Sequence, residues 1–338
     1  MTYFKTFLLS AFLCLLSMNV NAEILYTVQD LGTLATDKSE ARSLNANGWV
    51  AGKYFNKDET ADFLWTPETG LEIITNEADK ESYPKLNNAG IVRGFMLKPG
   101  GWLSSAQMRR YVYNLSHEFA YSDWSNRDKG WSVIAMNDLY TLMCDHVDPF
   151  KSSICFFDGN GKFVTFGKFF HDGSDQRFAT AMNNHSQIVV TTEIAGFLGT
   201  SFLSTYELNI YDVETSQWAA VAYGALYYAV GINDQQMIIA RNKKGNEGFF
   251  GSKELGMSSL KDFVPTALNN LNQIVGKKKQ EVFLRQPDST MISLNQAVDL
   301  KQFGIEKITD AWSINDQGQI LVTARIAGKS HTLLLQPH

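Results

Sequence analysis

One arrangement of apolar and polar positions returns along this chain at intervals of 36 to 50 residues. It reads large aliphatic, asparagine, two turn formers, often a glycine, and then an apolar run. The clearest copies open at Leu44-Asn45-Ala46-Asn47-Gly48, Leu86-Asn87-Asn88-Ala89-Gly90, Leu268-Asn269-Asn270-Leu271-Asn272 and Ile314-Asn315-Asp316-Gln317-Gly318. Weaker copies open at Met182-Asn183-Asn184 and Ile232-Asn233-Asp234, and the most eroded at Met136-Asn137-Asp138, where Tyr140 stands in the glycine position. One such tetrapeptide is ordinary turn chemistry, because Asn and Asp bond their own backbone and Gly accepts positive φ. Seven at near-even spacing, with aliphatic residues at matching offsets, mark an internal repeat. Each asparagine therefore predicts a hairpin joining the strand before it to the strand after it.

Two further short apolar segments follow each turn. Phe63-Leu64-Trp65 and Leu71-Glu72-Ile73-Ile74 are one pair, Val282-Phe283-Leu284 and Met291-Ile292 another. They are rich in aromatic and β-branched residues and bounded by Gly, Asp, Asn and Pro, as strands are. About four short strands per repeat is the pattern of a propeller blade. Seven residues beyond the asparagine the chain is mostly small (Gly52, Gly94, Cys144, Ala240, Gly276), which predicts close backbone approach at a crowded hub.

The chain ends complement one another. The last repeat stops after Thr332-Leu333-Leu334-Leu335, one strand short, and the strand Ile24-Leu25-Tyr26-Thr27-Val28 precedes any turn motif. The expected fold is all-β, a seven-bladed β-propeller closed by an N-terminal strand that completes the last blade. A β-sandwich or another β-repeat architecture is the alternative. The division expected is residues 1–22 as a signal peptide and residues 23–338 as a single propeller domain.

Tyr26-Thr27-Val28-Gln29-Asp30-Leu31-Gly32-Thr33-Leu34, the Asn45 turn and Ala61-Asp62-Phe63-Leu64-Trp65 together resemble the HAF-repeat family of bacterial extracellular repeat proteins. The likeness extends to residues 268–284 and 311–335. The His-Ala-Phe tripeptide itself is replaced by Ala61-Asp62-Phe63 and His331-Thr332-Leu333. The resemblance implies export and a propeller-like fold; it carries no catalytic residues to transfer.

Export is also written at the N-terminus. Lys5, the apolar run from Phe7 to Leu16 and the small-x-small end Val20-Asn21-Ala22 form a signal peptide cut after Ala22. That run is about half of the roughly 20 residues that span a bilayer, so no membrane span is expected after cleavage. The protein is placed in the periplasm or outside the cell. Cleavage leaves Cys144 and Cys155, a possible disulfide in an oxidising compartment. The 30 basic and 35 acidic residues give a net charge of −5, and the basic ones are scattered apart from Lys277-Lys278-Lys279, so nucleic acid is not an expected partner.

Candidate chemistry is sparse. No histidine pair has metal-ligand spacing, so neither metal nor cofactor is expected. His146-Val147-Asp148 and His171-Asp172 are the nearest approach to an acid–base or metal site. Residues 99–131 gather Trp102, Arg109, Arg110, Trp124 and Trp131, a set that suits a sugar or peptide ligand. The sequence thus favours a monomeric, non-catalytic ring that binds a protein or glycan through its loops. The alternative is a polysaccharide hydrolase or lyase with loop carboxylates at the channel mouth.

Overall fold

The reason asparagine recurs is visible at each turn. In the first, Asn45 Oδ1 accepts from the amides of Asn47 (3.0 Å) and Trp49 (2.9 Å), which holds the four-residue loop in shape. The backbone closes the same loop through Asn45 N to Trp49 O and Gly48 N to Asn45 O. The glycine position lies at positive φ: Gly48 at 78°, Gly90 at 80° and Gly318 at 76°. The eroded copies keep this geometry without glycine, with Ser186 at 57°, Gln236 at 59° and Asn272 at 59°. The computed structural model describes residues 24–338 except 33–37, 57–58, 81, 99, 101–106, 115, 117, 122–124, 127–130, 146–152, 159–162, 165–175 and 195–204.

Strand β1 (Tyr26–Asp30) stands alone ahead of the first turn. The first sheet follows as β2 (Lys38–Leu44), β3 (Val50–Phe55), β4 (Thr60–Thr66) and β5 (Gly70–Thr75). The second holds β6 (Lys85–Leu86), β7 (Val92–Lys98), β8 (Gln107–Tyr113), β9 (Phe119–Tyr121) and β10 (Ser125–Asn126). The third is β11 (Trp131–Met136), β12 (Tyr140–Asp145), β13 (Ser153–Asp158) and β14 (Phe163–Val164). The fourth is β15 (Gln176–Met182), β16 (Gln187–Ile194), β17 (Thr205–Asp212) and β18 (Gln217–Ala225). The fifth comprises β19 (Tyr227–Ile232), β20 (Ile238–Asn242), β21 (Gly248–Ser252) and β22 (Gly256–Ser259). The sixth comprises β23 (Phe263–Leu268), β24 (Ile274–Lys278), β25 (Glu281–Arg285) and β26 (Met291–Ser293). Last come β27 (Ile305–Ile314), β28 (Ile320–Ile326) and β29 (Lys329–Pro337), which a parallel bridge between Lys38 and Ser330 joins to β2–β5 in one eight-stranded sheet. The third to sixth sheets are antiparallel meanders in chain order. β1 pairs antiparallel with β29, from Tyr26 opposite Pro337 to Asp30 opposite Leu333.

Apolar residues run consecutively in the middle strands because both faces of these sheets are covered. Successive side chains alternate faces, so Leu334 joins Leu321 against Val50, Phe63 and Trp65 of the first sheet. Its neighbours Leu333 and Leu335 face the other way, with Val322 against Val275, Val282 and Leu284 of the sixth. The second sheet packs Leu86, Val92 and Tyr111 on Ala51 and Leu64 of the first in the same fashion. Each such leucine contributes about 1.5–3 kcal/mol by leaving water. No helix among the described residues is long and apolar enough to cross a membrane.

The small residues seven beyond the asparagine lie on the second strand of their sheets, where neighbours approach closely. At Gly276 a Cβ would come within 2.3 Å of Val264 O and 2.9 Å of Pro265 Cα, the close backbone approach that the sequence predicts. Gly52 sits between Ala41 and Phe63 in register, and a Cβ there would come within 2.5 Å of Ala41 Cβ and 2.6 Å of the Phe63 ring. At Gly94 it would meet the Tyr111 ring, at 2.6 Å from the hydroxyl. An aromatic ring from the third strand, lying across the second, leaves no room for a side chain. In the third sheet the register sets Met143 opposite Cys155 and Ile154 opposite Cys144, so neither cysteine is the other's direct cross-strand partner. Their side chains lie outside the described ones.

Candidate functional site

The first strand of each meander runs towards its asparagine turn, so the molecule has a turn end and an opposite end. At the turn end all seven asparagines line one polar depression of about 240 Å³. Each amide reaches across to the main chain of the next unit: Asn45 Nδ2 donates to Asn87 O at 3.0 Å, Asn87 to Asn137 O at 3.4 Å, and Asn137 to Asn183 O at 3.0 Å. Asn183, Asn233 and Asn269 donate to the carbonyls of Asn233, Asn269 and Asn315, each at 3.0 Å. Asn315 then donates to Asn45 O at 3.0 Å, returning to the start. A second set lies outside it, where the amides of Ala46, Asn88, Asn184, Asp234 and Asn270 donate to a side-chain oxygen of the next unit at 2.7–2.9 Å. The seven asparagine side chains are all engaged in holding neighbours together.

The opposite end gathers the first residues of the inner strands and the hairpins between second and third strands. A cavity of about 610 Å³ opens there, lined by Arg241, Asp262, Thr266, Lys277, Asp310 and Trp312 among others. Lys277 pairs with Asp310. Lys278 pairs with Asp262 at 3.1 Å at the rim. Trp312 donates through Nε1 to Thr323 Oγ1 at 2.8 Å, which fixes its indole.

Beside that indole stands a charged cluster. The Arg42 guanidinium lies 4.4 Å from the Trp312 ring and 3.8 Å from the Tyr83 ring, within the range of a cation–π contact on both sides. Arg42 also binds Glu40 through Nε (2.9 Å) and Nη2 (2.5 Å), and Lys38 binds the other carboxylate oxygen at 2.7 Å. Burial opposes ionisation of Glu40, but the bonds from Lys38 and Arg42 outweigh it and hold its pKa below the ordinary value. Burial, with the Arg42 charge nearby, lowers Lys85 to about 8. Burial likewise raises the Tyr83 hydroxyl well above its usual range.

Arg42 and Trp312 were legible in principle, since both stand three residues before a repeat asparagine. The register slips there, between Ala41 and Ser43 and between Ala311 and Ser313, and such a bulge re-aims a side chain. The other copies carry Pro84, Ile134, Thr180, Val230 and Thr266 at that offset, which hides the signal.

The aromatic set expected in residues 99–131 is not brought together among the described residues. Trp102 and Trp124 lie outside them, and Trp131 opens β11 with its side chain outside them too. Arg109 and Arg110 are half-buried in β8, opposite Met96 and Phe95, and line neither depression. His146 and His171 also lie outside the described residues. His331 Nδ1 is 3.2 Å from Asp30 Oδ2, between β29 and the end of β1. No group of three or more His, Cys, Asp or Glu arranged to hold a metal occurs among the described residues.

No family model and no curated protein sequence matches the chain. Solved structures do. A virginiamycin B lyase from Staphylococcus aureus, catalytically inactive and with quinupristin, superposes with a TM-score of 0.55 at 8% identity, over 92% of this chain and 99% of the lyase. A streptogramin B lyase gives 0.54 at 11% identity, over 94% and 99%. The acylaminoacyl peptidase of Pyrococcus horikoshii gives 0.59 at 8% identity, over 91% of this chain and 53% of the peptidase, so the chain spans about half of that enzyme's length. At these identities the likeness shows the fold, a β-propeller.

Proposed function

We propose that the chain is a seven-bladed propeller closed by β1 on β29, exported, and that it binds a glycan or protein partner without transforming it. The return of the asparagine circuit from Asn315 to Asn45 and the five-residue ladder between β1 and β29 support the closure. The HAF-repeat resemblance and the apolar N-terminal segment support export. One contrast carries the binding reading. The turn end spends its polar groups on its neighbours, while the opposite end opens a cavity walled by the Trp312 indole and charged side chains. A fixed aromatic plane with polar groups around it is the usual make-up of a ligand site, and indoles are favoured anchors.

The test compares the intact protein with Trp312→Ala. Glycans and peptides that raise the melting temperature of the first are expected to leave the second unmoved, with binding weakened by about 1–3 kcal/mol. Turnover of any of these ligands that survives repurification and is lost in Glu40→Gln would replace the binding reading with a catalytic one. Export predicts an intact mass starting at Glu23 for protein recovered from outside the cytoplasm.

A further inference from the structure

Basic residues concentrate in the sequence that forms the hairpins beside the Trp312 cavity, interleaved with Glu247, Asp262 and Glu281. Residues 241–279 hold eight of the 30 basic residues and only three of the 35 acidic ones, in a protein of net charge −5. Topology sends most of that charge to one place. Arg241, Lys243 and Lys244 belong to the hairpin between β20 and β21, and Lys277, Lys278 and Lys279 to the hairpin between β24 and β25. Both hairpins reach the cavity, which Arg241, Lys277 and Lys279 line together with Trp312.

Three observations say what these cations suit. First, Lys243, Lys244, Lys278 and Lys279 are exposed, and the Lys278–Asp262 pair (3.1 Å) is open to solvent on both sides, whereas Lys243 meets a largely covered Glu193 (3.2 Å) and Lys277 is committed to Asp310. A fully exposed pair of that kind is weak, so an incoming anion can displace Asp262 from Lys278. Second, Lys261 and Lys279 are held at φ of 59° and 56°. A lysine there costs about 1 kcal/mol or more against glycine, yet at Lys279 it puts a charge on the cavity rim. Third, carboxylates are interleaved with the lysines, Asp262 and Asp310 both lining the cavity. Interspersed acceptors bind hydroxyls, and an indole wall packs against the C–H face of a sugar ring.

From this juxtaposition we infer that the Trp312 cavity and its lysine hairpins take an acidic oligosaccharide, a chain of carboxylated sugars. The inference rests on the binding reading above and names its ligand class. The cations meet the carboxylates at the rim, the aspartates meet the hydroxyls, and Trp312 supplies the stacking plane.

Titration calorimetry on the full mature chain, with hexamers of galacturonate, glucose and glutamate and a thymidine hexanucleotide, tests it. The galacturonate hexamer is expected to bind tightest, and to weaken about tenfold when salt rises from about 50 to about 300 mM. The exposed triple variant Lys243→Gln/Lys244→Gln/Lys279→Gln should lose a similar factor for that hexamer and keep its unfolding midpoint. The glucose hexamer should bind more weakly and be indifferent to both changes. Equal binding of glucose and galacturonate hexamers, unmoved by the triple variant but lost in Trp312→Ala, would overturn the acidic class and leave the site reading standing. Preference for the glutamate hexamer or the nucleotide would overturn the sugar class. If galacturonate does not bind at all, the inference falls; if Trp312→Ala changes no ligand's binding, the site reading falls with it.

Discussion

Two kinds of buried polar residue organise this molecule. The repeat asparagines are 3–6% exposed, yet each uses both ends of its amide. Asn233 Oδ1 accepts from the amides of Gln235 and Met237, while Nδ2 donates to Asn269 O and to Asn272 Oδ1. Asn233→Ala leaves these groups buried and unpaired, so urea denaturation should show a loss of about 3 kcal/mol. Asn233→Asp keeps the local turn but removes the donor, which isolates the reach to the next unit. The other kind is a buried ion pair. Lys53 Nζ lies 2.5 Å from Asp62 Oδ1 with both side chains at 0% exposure, and Asp79 O and the Tyr111 hydroxyl complete their partners at 2.7 Å. Burial raises the Asp62 pKa to about 6, against the pull of Lys53 and Tyr111. The unfolded chain gives up this proton near the ordinary value of 3.8. The contribution of Asp62 to stability is therefore full below that value and is lost as pH rises through about 6. Lys53→Met should cost about 3–5 kcal/mol by stranding the carboxylate, and adding Asp62→Asn should recover most of it. Denaturation midpoints across pH 4–7 check both, because the double variant should lack this pH-dependent limb.

At the scale of elements, a repeat can lose its glycine and keep its turn. Ser186, Gln236 and Asn272 take the left-handed angles that Gly48, Gly90 and Gly318 take freely. The asparagine bonds hold them there, since Asn183 and Asn233 make the same local and onward contacts as Asn45. At Asn183 and Asn233 the eroded look is thus a change in composition and not in conformation. The strain remains, and Gln236→Gly should raise stability by about 0.5–1 kcal/mol, read as a higher melting temperature. Hairpins and their spacing were legible from Asn and Gly because turn chemistry is local. The reason for Gly52 and Gly94 was not, because it depends on an aromatic ring arriving from the third strand.

Over the whole molecule the two chain ends meet. Thr27 is opposite Gln336 in the β1–β29 ladder, with Thr27 Oγ1 donating to Gln336 O at 3.3 Å. Thr27→Cys/Gln336→Cys should therefore oxidise to an intramolecular disulfide in the folded protein and add about 2–4 kcal/mol. Non-reducing electrophoresis and denaturation read the two effects. Free thiols in the folded, oxidised variant would argue against a ring closed by its first strand.

The repeat, its strands and its turns were written in the sequence, because a hairpin needs only neighbouring residues with the right backbone preferences. The offer of an N-terminal strand was written there too. The site was not. Arg42 and Trp312 lie on strands 270 residues apart in the chain and Tyr83 on the segment before β6, and they meet because the last strands join the first ones in one sheet. Lys277-Lys278-Lys279 stood out in the sequence as a basic cluster, but only topology sets it beside Arg241 and the Trp312 indole. Contacts across a repeat architecture are made between units, and only the tertiary structure decides which side chains those units bring together.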